Sequence, residues 1–178
     1  SAITGRQLLI DGAAELYVTN DIDIEGNFQI SNNRAGNVYF PNTGTNTLSI
    51  GGNLYAKTPN NTTFSSTISI EAGGSNTHIL SVGGNIDVDY CATFDLFESE
   101  TGTNVILELT GDGTNNFDNS SAASLDLYQI VMNKGSDQTS TFSLNSDFTL
   151  PTPTASIQPI VLQNGTLIIN NASIAIGI

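Results

Sequence analysis

A chain of 178 residues, 38% of them hydrophobic, fits one domain and is long enough to bury a sizeable core. Four Lys+Arg against 17 Asp+Glu give a formal net charge of -13, a surface that repels phosphate backbones and anionic lipid, so nucleic acid is not expected as a partner. No apolar run approaches the roughly 18 residues of a membrane helix, so no direct membrane insertion is expected, and the lone Cys91 excludes an internal disulfide framework.

Charged residues make up only 12% of the chain, about half the usual share, and Asn, Ser and Thr carry the polar surface, a composition of β-rich extracellular proteins. The start at Ser1 and the strand-like end NASIAIGI lead us to expect a mature product or a piece of a longer chain, with residues 1–178 as one module.

In chain order, apolar residues recur with period two in short runs cut by Gly, Asn and Asp, the pattern of strands. Ile22 and Ile24, a corner at Gly26-Asn27, then Phe28 and Ile30 form the first clear unit. LSIGGNLYA (48–56) and LSVGGNIDV (80–88) are two near-copies of it. Leu107, Leu109 and TGD match its first half, FSLNSDFTL (142–150) matches throughout, and IVLQNGTLII (160–169) matches with one extra turn residue. SSAASLDLYQIVM (120–132) alternates at first and then carries β-branched Ile130 and Val131, so it reads as strand rather than helix. LPTPTASIQP (150–159) reads as a Pro-rich loop between coils.

Units near 22, 48, 80, 107, 142 and 160 recur at the irregular spacing of solenoid coils, whose insertions leave the stack as loops. The expected architecture is therefore an all-β, right-handed parallel β-helix of about six coils, with a β-sandwich as the alternative. Glycine at the corners is expected to supply positive φ, and Asn27, Asn53, Asn85, Asp112 and Asp147 are expected to stack as a structural ladder. An open terminal coil would be covered by a neighbouring domain or subunit.

The run GGNIDVDYCATFDL, NVILELTGDGTNNF, LDLYQIVMNKGSDQTSTFSLNSDFTL and LQNGTLIINN resembles the repeat grammar of right-handed parallel β-helix modules in large secreted and surface proteins of Bacteroidota, over residues 48–171. That grammar sets a "gNLtV" strand before "gatFdL", "lnltGdGtqtF", "LynLtInns" and "GtLtlnn"; Cys91 departs from it, standing where a small turn residue is usual. The resemblance implies secretion or cell-surface display as stalk, adhesin or sheath, and brings no catalytic residues with it.

The residues themselves give no catalytic site. His78 has no nucleophile motif or metal-ligand partner at useful spacing and reads as a solvent or loop histidine, while Arg6, Arg34, Lys57 and Lys134 are scattered over unrelated coils. Asp21 with Asp23, and Asp87 with Asp89, share faces by period two and read as solvated pairs rather than a glycosidase pair. GDGTNNFD places Asp112, Thr114, Asn116 and Asp118 as weak candidates for a structural calcium, and no other cofactor is expected.

The leading functional expectation is a non-catalytic structural or adhesive module. The alternatives are a carbohydrate-binding or degenerate polysaccharide-active β-helix, with Tyr17, Tyr39, Tyr55 and Tyr90 stacking on a glycan, and an ice-binding solenoid with threonines such as those of TGTNT (43–47).

Overall fold

The structure, a computed structural model, describes residues 7–30, 36–56, 66–88, 91–119, 124–154, 157–170 and 173–176. Short strands follow one another in threes. The first coil holds β1 (Gln7–Ile10), β2 (Glu15–Tyr17) and β3 (Ile22–Ile24), and the second β4 (Asn27–Ile30), β5 (Asn37–Phe40) and β6 (Thr47–Ile50). Next come β7 (Leu54–Ala56), β8 (Ser66–Ile70) and β9 (Thr77–Val82), then β10 (Ile86–Asp87), β11 (Cys91–Asp95) and β12 (Asn104–Leu109). The fifth coil is β13 (Thr114–Asp118), β14 (Ser124–Asp126) and β15 (Gln129–Asn133), the sixth β16 (Thr141–Leu144), β17 (Phe148–Leu150) and β18 (Ile160–Asn164), and β19 (Thr166–Ile169) and β20 (Ile174–Ile176) close the series.

Every third strand pairs in parallel with the one before, giving sheet A (β1-β4-β7-β10-β13-β16-β19), sheet B (β2-β5-β8-β11-β14-β17-β20) and sheet C (β3-β6-β9-β12-β15-β18). The chain is a parallel β-solenoid, and no helix occurs among the described residues. The β-sandwich alternative fails because each strand lies beside a strand one coil away rather than beside its sequence neighbour.

Period-two alternation determines which side chains enter. On sheet C, Ile22, Leu48, Leu80, Leu107, Ile130 and Ile160 stand in one register column. On sheet A, Phe28, Leu54, Ile86, Phe117 and Leu144 do the same. These columns form a continuous core, with Phe117 edge-on between Phe94 and Phe148 at centroid distances of 5.7 and 4.9 Å.

The observed register corrects the phase read from sequence. Phe142 and Leu144 belong to sheet A, and Asn145-Ser146-Asp147 is an A-to-B corner, whereas the earlier units turn from C to A. The sheet C strand that precedes β16 is β15, in the segment read as strand; a corner at Leu127-Tyr128 splits that segment into β14 and β15. FSLNSDFTL misleads because any corner of a solenoid joins two alternating runs through small polar residues. The Pro-rich segment joins β17 to β18, two strands of one coil, rather than one coil to the next.

The corner glycines act by size. Gly51, Gly52, Gly83 and Gly84 are absent from the positive-φ residues, in contrast to the expectation. A Cβ on Gly84 would lie 2.7 Å from both carbonyl atoms of Gly52 in the preceding coil, while Gly84 N donates to Gly52 O at 2.8 Å. Left-handed backbone appears at the later C-to-A corners, at Gly111 (φ 72), Gly135 (φ 68) and Gly165 (φ 84).

Gly84→Ala is therefore expected to cost about 1–3 kcal/mol through overpacking against the coil below, where a residue of ordinary φ in open space would gain from the substitution. Urea unfolding of the two proteins checks it.

Candidate binding face

At the C-to-A corner the side chains make a ladder of one kind. Asn27 Oδ1 accepts from Asn53 N (2.8 Å), Asn53 Oδ1 from Asn85 N (2.7 Å), and Asn85 Oδ1 from Asn116 N (3.0 Å) and Asn115 Nδ2 (3.3 Å). The fourth member is thus Asn116 rather than Asp112. The GDGTNN corner is longer than GGN, and its extra residues carry Asp112 into the exposed loop ahead of β13. Asp147 is also outside the row. At its own corner, Asp147 Oδ1 accepts from Ser173 N at 2.7 Å, as Asp21 Oδ1 accepts from Thr47 N at 2.8 Å at a B-to-C corner.

Two polar residues read as incidental are buried fasteners. Lys134 is fully buried, and its ammonium donates to the carbonyls of Thr110 (2.8 Å), Gly83 (3.2 Å) and Asp112 (3.3 Å), tying three coils at one corner. Burial pushes it below the ordinary lysine range, with Asp112 partly opposing. Arg6, Arg34 and Lys57 lie outside the described residues. His78 is fully buried on β9 rather than in a solvent loop: Nδ1 accepts from Asn46 N at 3.1 Å, so Nε2 carries the proton and donates to Pro41 O at 2.8 Å.

Of the calcium candidates, Thr114, Asn116 and Asp118 lie on β13 and Asp112 precedes it. Asn116 takes part in the ladder, Thr114 Oγ1 accepts from Thr141 Oγ1 at 3.2 Å, Asp118 pairs in register with Asp87 on sheet A, and the Asp112 carbonyl already faces Lys134. No group of three or more His, Cys, Asp or Glu suited to a metal occurs among the described residues. Thr114, Thr141 and Thr166 form a threonine column on sheet A, away from TGTNT. Asp89 lies outside the described residues.

Of the tyrosines, Tyr17 and Tyr39 come together on the outward face of sheet B, ring centroids 5.1 Å apart. Tyr55 stands on sheet A, where Asn53 Nδ2 donates to its Oη at 2.8 Å, and Tyr90 lies outside the described residues.

Further along sheet B, a cleft of about 290 Å³ is lined by Phe97, Glu100, Asp126, Thr149, Leu150, Pro151 and Thr152. Its wall arises from a short repeat that the sequence reading passed over, Asp95-Leu96-Phe97 and Asp126-Leu127-Tyr128. Leu96 and Leu127 are fully buried anchors. By alternation each therefore turns its Asp and its aromatic ring outward. Asp95, Asp126 and Thr149 share a register column, and the Phe97 and Tyr128 rings lie 6.1 Å apart at 14°.

The loop carrying Phe97 and Glu100 is held tightly. Glu98 accepts from Thr103 N (2.7 Å) and from Gly73 N one coil below (2.9 Å), while Asn104 Nδ2 donates to Ser99 O (2.9 Å) and Gly102 O (3.1 Å). The result is a preformed aromatic wall beside closely spaced carboxylates. Burial raises the Asp95 carboxyl above its ordinary range; a hydrogen bond from Phe97 N opposes this, and the charges of Asp126 and Glu98 add to it.

Compared with protein-family models, curated proteins and solved structures, the chain matches none. The class defined by fold and site is a parallel β-solenoid with one aromatic, acidic outward face.

Two outcomes are expected from substitution. Asn85→Ala strands two donors and should cost about 1–3 kcal/mol, whereas Asp112→Ala, outside the ladder, should cost clearly less; urea midpoints compare them. Because the folded state binds the Asp95 proton more tightly than the unfolded state does, ionised Asp95 lowers stability as pH rises through the interval between the two pKa values. Asp95→Asn, which keeps an acceptor for Phe97 N, should melt slightly higher than the parent at pH 7 and lose that advantage at pH 3, as followed by circular dichroism.

Proposed function

We propose that the chain is a non-catalytic structural and adhesive module of an extracellular or cell-surface protein, and that sheet B is its binding face. The observation that carries the reading is that Tyr17, Tyr39, Asp95, Asp126 and Thr149 all emerge from this one sheet, with the cleft beside it. A stack whose side chains repeat on a fixed spacing presents an extended surface, which suits attachment to another macromolecule. The acidic, Asn- and Thr-rich composition and the resemblance to Bacteroidota surface modules support an extracellular location.

The Tyr17–Tyr39 pair favours a second reading, glycan binding, because paired exposed rings offer an apolar platform with polar tips.

Beads coated with the purified chain and presented with immobilised surface proteins and glycans test both. Saturable retention weakened by Tyr39→Ser on sheet B, and unchanged by Tyr55→Ser on sheet A, is expected. Retention sensitive only to sheet A, or turnover of a bound glycan, would remove the proposal. Retention of glycans alone would replace it with the second reading.

A further inference from the structure

We propose that the cleft bounded by Phe97 and Glu100, by Asp126 and by Thr149, Leu150, Pro151 and Thr152 receives an arginine side chain of a basic partner protein. This rests on sheet B being the binding face and names what that face would hold. Shape and chemistry select the occupant together. Phe97, Leu150 and Pro151 supply apolar wall, and Leu150 and Pro151 are themselves buried, which holds that wall firmly. Such walls suit the three-carbon stem of an arginine, and the Phe97 ring, packed on Tyr128, is held in place as part of that wall.

The polar groups complete the selection. Glu100 and Asp126 line the cleft, and Asp95 and Glu98 stand behind them. Ionised carboxylates only accept hydrogen bonds, and a guanidinium only donates them, whereas a neutral sugar brings as many acceptors as donors and would need donors in return. Among the described residues no lysine or arginine lines the cleft, and Lys134 is committed to three carbonyls at another corner. Burial is the main cause of the raised Asp95 carboxyl, and the neighbouring charges of Asp126 and Glu98 add to it, a repulsion that an incoming cation would relieve. The loop hydrogen bonds of Glu98 and Asn104 fix Phe97 before any partner arrives, lowering the ordering cost of binding.

Fluorescein-labelled hexa-arginine, titrated against the full chain and followed by anisotropy at low and at 0.5 M salt, tests this. Saturable binding is expected, weakened by salt, weaker for hexalysine, and absent for cellohexaose. Phe97→Ala and Asp126→Asn should each weaken it about tenfold, and Glu25→Gln, the same charge change at a distant corner, by less than twofold. Thr149→Arg, which places a tethered guanidinium in the cleft, should abolish it and serves if Phe97→Ala unfolds. Loss in Glu25→Gln equal to that in Asp126→Asn, indifference to Thr149→Arg, or cellohexaose binding in place of hexa-arginine would overturn the proposal. If hexa-arginine fails while coated beads still adhere through sheet B, this inference falls alone; if adhesion ignores sheet B, the underlying reading falls.

Discussion

Parallel strands hydrogen-bond at about 4.8 Å, and every other feature of this molecule must fit that spacing. Inward side chains meet like residues from the coils on either side, which is why Leu48, Leu80 and Leu107 are buried although each belongs to a strand of only four to six residues. Corners are held to the same spacing. Where two backbones turn one above the other, a β-carbon has no room, and Gly51, Gly52, Gly83 and Gly84 answer that steric demand.

Corners also leave peptide N–H groups that no strand can satisfy, and the sequence meets the need with short carbonyl- or carboxylate-bearing side chains. Asn27, Asn53, Asn85, Asp21 and Asp147 each accept an amide from the following coil. Lys134 treats the opposite surplus, capping three carbonyls where the corners become irregular. His78 does both at once, accepting from Asn46 and donating to Pro41. Buried Lys134 and His78 are therefore fasteners between coils, consistent with the cost of leaving such groups unpaired.

The solenoid was legible because alternation and the GGN corner state local geometry directly. The phase of the coils was less so: FSLNSDFTL and LSVGGNIDV obey the same local rule at different corners, and only pairing with strands 27 and 32 residues away separates them. The ladder was readable while the corner stayed three residues long and slipped at GDGTNN, where the extra length moves Asp112 out and Asn116 in. Burial of Lys134 was invisible, since its carbonyl partners come from backbone that any residue could supply. The cleft did leave a trace, DLF and DLY 31 positions apart, but two three-letter words carry weight only after the register is known to align them.

The Asn ladder also has a direction. Each amide oxygen reaches forward to the N–H of the next coil and none reaches back, so a finished coil displays an acceptor already aimed at the segment that follows it. The two ends of the stack therefore differ at this corner: one would present peptide N–H donors and the other side-chain acceptors, so a further coil would meet different chemistry at each end.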